Sequence, residues 1–137
     1  MDYAAVPTPA SCYADFCLIP VYITYNHMLF LPQAMVLTRD FLSQVGTASV
    51  SVAAEVAEVQ RLLKASGLKY TMHSAGTTVE GSWDEVMTVI GKAHAVVHQR
   101  GVLRVQSSMR VGTRTDKKQT AADKVKRVED LLADKDV

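Results

Sequence analysis

Two stretches with helical hydrophobic spacing, each framed by short runs of alternating residues, constrain this chain more than any other feature. Over residues 49–66, Val52, Val56, Val59, Leu62 and Leu63 recur at helical spacing, with Glu55, Glu58, Arg61 and Lys64 opposite. Ser49 or Ser51 can cap that helix, and Gly67 can end it as a C′ glycine. Over residues 82–100, Val86, Val89, Ile90, Ala93 and Val97 form a second stripe. Asp84 and Glu85 fall in its first turn, where the helix dipole favours carboxylates, and Gly101 closes it. Strand patterns occupy 11–20, 68–74, 77–80 (short or irregular) and 102–111. A third helix is expected over 119–133, with Val125, Val128, Leu131 and Leu132 as its apolar side. The order β-α-β-β-α-β is the split βαβ arrangement, so an α+β, ferredoxin-like antiparallel sheet with an extra C-terminal helix is predicted.

The first strand is largely apolar on both faces. Cys12, Ala14, Phe16 and Leu18 lie on one; Tyr13, Asp15, Cys17 and Ile19 lie on the other. That pattern suits a central strand covered on both sides. Two helices cover one side, so a second copy of the chain is expected on the other, giving a sheet-paired homodimer or homotetramer.

At 137 residues the chain is long enough for one domain with its own core. Residues 1–10, with two prolines, read as a disordered lead-in, and 11–137 as a single domain. One segment breaks the pattern. From Phe16 to Thr38 there is no Asp, Glu, Lys or Arg, which is about the length a membrane helix needs. Pro20, Asn26, His27, Pro32 and Gln33 argue against a lipid-facing span. Removing Val21 to Gln44 joins Leu18-Ile19-Pro20 to Val45-Gly46-Thr47, a strand, a glycine turn and a helix start of ordinary loop length. Valine codons begin with GT and CAG can encode glutamine, so 21–44 is expected to be a translated intron of a fungal-type gene. A genuine insertion loop, lid or interface helix is the alternative.

A net charge of +1 gives no global case for nucleic-acid or membrane-surface binding. Cys12 and Cys17 sit on opposite faces of one strand, so reduced thiols and a cytoplasmic setting are expected. No secretory leader pattern opens the chain. His94 and His98 have ligand-compatible i, i+4 spacing but no third ligand, so no metal site is expected. No nucleophile–base arrangement, paired carboxylates or nucleotide loop is present, so neither catalysis nor a cofactor is expected.

The candidate site is the stretch from His73 to Met87. Two glycines, hydroxyl residues and one carboxylate lie there between a strand and a helix, where a turn and helix cap is the simpler reading. Gly76-Thr77-Thr78-Val79-Glu80-Gly81, together with Met109-Arg110-Val111-Gly112-Thr113-Arg114-Thr115-Asp116-Lys117, resembles the small thiamine-binding-protein family, and in particular its fungal branch. The resemblance extends over Cys17 to Pro20, Gly46 to Ser51 and Leu68 to Tyr70, and has no counterpart for 21–44. It implies a ferredoxin-like fold, sheet-paired dimers forming tetramers, and binding of thiamine or its hydroxymethylpyrimidine part. A pocket for this cation needs a carboxylate, hydrogen-bonding groups and an apolar wall. Ser51, His73, Gly76, Thr77, Thr78, Glu80 and Gly81 are the residues expected to supply it. Local roles are the alternative for each: Glu80 paired with Arg104 or Arg110, the threonines as strand formers, the glycines as turn residues. Arg110 and Arg114 are candidates for sulfate or phosphate, or for salt bridges between subunits with Asp15 or Asp116. The rival reading of the whole is therefore a structural or regulatory homo-oligomer that binds only anions, with a cell-wall-related role implied by the resemblance.

Overall fold

The computed structural model describes residues 1–22, 44–45 and 51–134. Strand β1 (Cys12–Tyr22) runs up the middle. The two-residue strand β2 (Gln44–Val45) follows, then helix α1 (Ala53–Ser66). Strands β3 (Lys69–His73) and β4 (Gly76–Gly81) form a hairpin. Helix α2 (Trp83–Gln99), strand β5 (Arg104–Gly112) and helix α3 (Ala121–Ala133) complete the chain. The lead-in holds one 3-10 turn, Tyr3–Ala5, and Pro9 accepts a hydrogen bond from the Trp83 amide at 3.3 Å.

All pairings are antiparallel, and the four long strands run β5–β1–β4–β3. This is the ferredoxin-like order. β1 is central, with Ala14 opposite both Val79 of β4 and Val111 of β5. β4 is regular through all six residues rather than short or irregular, because it is held on both edges by β1 and β3. β2 was not foreseen; it pairs Val45 with Val21 and Gln44 with Tyr22 at the end of β1. Of the 21–44 segment, residues 23–43 lie outside the described ones. Among the described residues no helix is long and apolar enough to cross a membrane.

Helices α1 and α2 lie on one sheet face. Cys12, Ala14, Phe16 and Val79 meet Val59 and Leu63 of α1 and Val86, Val89, Ile90, Ala93 and Val97 of α2. Leu63, Val79, Val86 and Val97 are fully buried, and each such side chain stabilises the fold by about 1.5–3 kcal/mol. The helix ends follow local chemistry. Gly67 ends α1 at φ 73°, a left-handed conformation that favours glycine. Ser82 and Glu85 form a reciprocal capping box at the start of α2, and the Ser82 hydroxyl holds the Glu85 carboxyl below its ordinary value. Thr120 and Asp123 repeat the device on α3. α1 begins at Ala53, and the Ser51 hydroxyl accepts from the Ala53 amide at 3.1 Å.

The other face of the sheet is charged at its centre. The Asp15 carboxylate lies 2.8 Å from His73 Nε2 and accepts from Arg110 Nη2 at 3.2 Å. α3 approaches this face only at one end, where Lys124 Nζ stands 3.7 Å from the Tyr13 ring centre. Its apolar side, Val125, Val128, Leu131 and Leu132, is exposed in the single chain.

Candidate functional site

Strand alternation divides the expected site in two. β4 is a strand, so consecutive residues of Gly76-Thr77-Thr78-Val79-Glu80-Gly81 point to opposite faces. Thr77 and Val79 are buried on the helix side. Thr78 lies opposite Asp15 and Thr71 on the other face, and Glu80 lies there with it, opposite Tyr13 and Lys69. The glycines act locally. A Cβ on Gly76 would stand 2.4 Å from the Phe16 carbonyl oxygen, so only glycine allows β1 this close. A Cβ on Gly81 would stand 3.1 Å from Leu68.

On the helix side, a cleft of about 190 Å³ opens between α1, the end of β1 and the β3–β4 hairpin. Phe16, Leu18, Val56, Val59 and Met72 give it apolar walls. Glu55 and Gln60 from α1 and Thr77 from β4 bring polar side chains to it, while His73 lines it from the hairpin with its imidazole bonded to Asp15 on the other sheet face. Gln60 Nε2 donates to Thr77 Oγ1 at 3.0 Å, and Thr77 is only 5% exposed. The Glu55 side chain is 13% exposed and lies 3.9 Å from Arg100 Nε. His73, Gly76 and Thr77 of the expected set line this cleft; Ser51, Thr78, Glu80 and Gly81 do not.

Glu80 belongs to a second, more open cleft of about 570 Å³ at the opposite end of the sheet, shared with Gly81, Tyr13, Lys69, Arg114, Lys118 and Lys124. Its carboxylate accepts from the Ala121 amide at 3.0 Å and lies 3.3 Å from Lys69 Nζ. Glu80 therefore fixes the start of α3 to the sheet, and its ionic partner is Lys69 rather than Arg104 or Arg110. The two candidate anion ligands are each paired with a carboxylate of the same chain. Arg110 meets Asp15, and Arg114 meets Asp116 at 2.6 Å as well as Gln119. The Arg114 guanidinium lowers the Asp116 carboxyl to about 2.

His94 and His98 are used structurally. His94 Nε2 bonds the Ser107 hydroxyl, tying α2 to β5, and burial lowers its pKa. His98 Nδ1 bonds the Val102 carbonyl at 2.7 Å. Among the described residues no group of three or more His, Cys, Asp or Glu could hold a metal ion.

Sequence reasoning missed Glu55 and Gln60. Glu55 was placed with the polar side of α1, because it borders the stripe. The signal for Gln60 was present: it lies four residues after Val56 and three before Leu63, on a helix side otherwise built from valine and leucine.

A family model described as thiamine-binding protein matches residues 42–129. The UPF0045 protein ECM15 of Eremothecium gossypii is 52% identical over 90 residues, covering 66% of this chain and 86% of that protein. A UPF0045 protein of Synechocystis is 52% identical over 83 residues, covering 61% and 69%. Among solved structures, a hypothetical protein of Methanocaldococcus jannaschii superposes with a TM-score of 0.62 at 25% identity, over 88% of this chain and 97% of that one. A Thermotoga maritima structure described as a "putative thiamine biosynthesis/salvage protein" gives 0.60 at 14% identity, over 86% and 98%, a likeness of fold.

Proposed function

This chain belongs to the thiamine-binding protein family, and on that premise we propose that it is a non-catalytic binding protein for thiamine or its hydroxymethylpyrimidine moiety. The observation that carries the proposal is the cleft beneath α1, where apolar walls meet Glu55, Gln60 and Thr77. Thiamine joins a cationic thiazolium to an aminopyrimidine. An apolar slot walled by Phe16 suits a flat ring, and converging amide and hydroxyl groups suit its polar edge. Glu55 supplies negative charge near a cation. A volume of about 190 Å³ lies below the roughly 300 Å³ at which drug-sized pockets begin. The pyrimidine ring therefore enters, and the thiazolium stays at the mouth.

Calorimetry with thiamine and with hydroxymethylpyrimidine tests this. Saturable binding of either is expected, and Val56→Trp should abolish it by filling the slot. Val56 is 37% exposed, so that variant keeps the fold. Absence of saturable binding to both compounds would overturn the proposal.

The protein is further proposed to be cytoplasmic and to act as a homodimer or homotetramer. The exposed apolar side of α3 and the partly covered second sheet face support self-association. The anion-only reading draws support from Lys69, Arg114, Lys118 and Lys124 around the second cleft. A melting temperature raised by sulfate or phosphate and indifferent to thiamine would favour it.

A further inference from the structure

We propose that the Gln60–Thr77 pair selects an amino-bearing azine edge over its oxo counterpart, an inference that rests on placing the ligand in the cleft beneath α1. Gln60 stands on a helix side otherwise given to Val56, Val59 and Leu63, and burying part of an amide there costs free energy unless it is bonded. One bond is visible: Gln60 Nε2 donates to Thr77 Oγ1 at 3.0 Å. That bond orients both groups. A hydroxyl that accepts from Gln60 still has its own proton to give, and a side-chain amide whose nitrogen is engaged keeps the lone pairs of Oε1 to receive. The cleft wall thus offers one donor beside one acceptor.

A 4-aminopyrimidine presents the complement at its edge, an exocyclic N–H beside a bare ring nitrogen. Gln60 Oε1 accepts from the amino group and the Thr77 hydroxyl donates to the ring nitrogen. The 4-oxo analogue presents the reverse order, a carbonyl oxygen beside a ring N–H, so each cleft group meets its own kind. A site built to hydrogen-bond one arrangement rejects the other because buried polar groups are left unpaired. Thr77 is 5% exposed, so water cannot readily repair the mismatch.

The test measures affinity of the full chain for hydroxymethylpyrimidine and for the analogue with oxo in place of the 4-amino group. The wild-type protein is expected to prefer the amino compound at least tenfold. Thr77→Val, which keeps the β-branched shape, and Gln60→Leu should each bring that preference close to unity, with melting temperature reported beside each affinity. A preference for the oxo compound, or an amino preference unchanged in both variants, overturns this inference and leaves the binding proposal standing. If the wild-type chain binds thiamine and neither pyrimidine, the inference also fails. If it binds none of the three, the site itself is wrong.

Discussion

Asp15 is the residue on which the second sheet face turns. Burial pushes its carboxyl up, but hydrogen bonds from Arg110 and His73 outweigh that and hold its pKa below 3.8. A carboxyl whose folded pKa is depressed stabilises the fold above its unfolded pKa and loses that contribution as pH falls through the folded value. Stability from this group is therefore present above about pH 3.8 and lost below it. Asp15→Asn should flatten the acid limb of a plot of melting temperature against pH below about 3.8, and lower stability modestly at neutral pH, since the group is partly exposed. An acid limb identical to wild type would count against the pairing. Residue chemistry of this kind was half legible. Asp15 and Arg110 could be named as partners from the sequence. That Arg110 faces Asp15 within one chain required the β1–β5 register.

At the scale of elements, period and punctuation were readable. Both long helices, the two strands of the hairpin and the glycine ends came from spacing, since a buried stripe and a helix-ending glycine are local facts. What spacing could not give was how β4 distributes its residues. The expected site treated Gly76 to Gly81 as one ligand-facing rim, whereas a regular strand sends Thr77 to one face and Glu80 to the other. Glu80→Gln separates these readings. It weakens the carboxylate at the first N–H of α3 and the contact with Lys69, so a loss of about 0.5–2 kcal/mol in urea unfolding is expected. Thiamine affinity should be unchanged within twofold. A tenfold loss of affinity with no loss of stability would return Glu80 to the binding site.

For the whole molecule, the structure bears on the segment between Val21 and Gln44. Val21 is the direct partner of Val45, and Tyr22 of Gln44. The chain leaves and re-enters the domain at one place, since paired antiparallel residues lie about 4.5–5.5 Å apart. Joining Pro20 to Val45 requires about 3.8 Å between Cα atoms, a small adjustment, and puts one valine where another stood. Val21 is 3% exposed, so the side chain that replaces it has a packed position to fill. A chain lacking residues 21–44 is expected to fold, to bind thiamine at least as well as the full chain, and to match or exceed its assembly size by light scattering. Aggregation or unfolding of the shortened chain would show that the segment is part of the domain.

The sequence alone determined the kinds and order of the long elements, the glycine ends of the helices and the family likeness, because these rest on neighbours within a few residues or on matching short blocks. Only the tertiary structure decided which polar groups meet. Gln60 and Thr77 are far apart in the chain, and Glu80 and Ala121 farther still; the first pair exists because a buried face fixed how α1 lies on the sheet, the second because Glu80 itself holds the start of α3. Burial is set by the whole fold, so the cleft beneath α1 could be located only once that fold was in place.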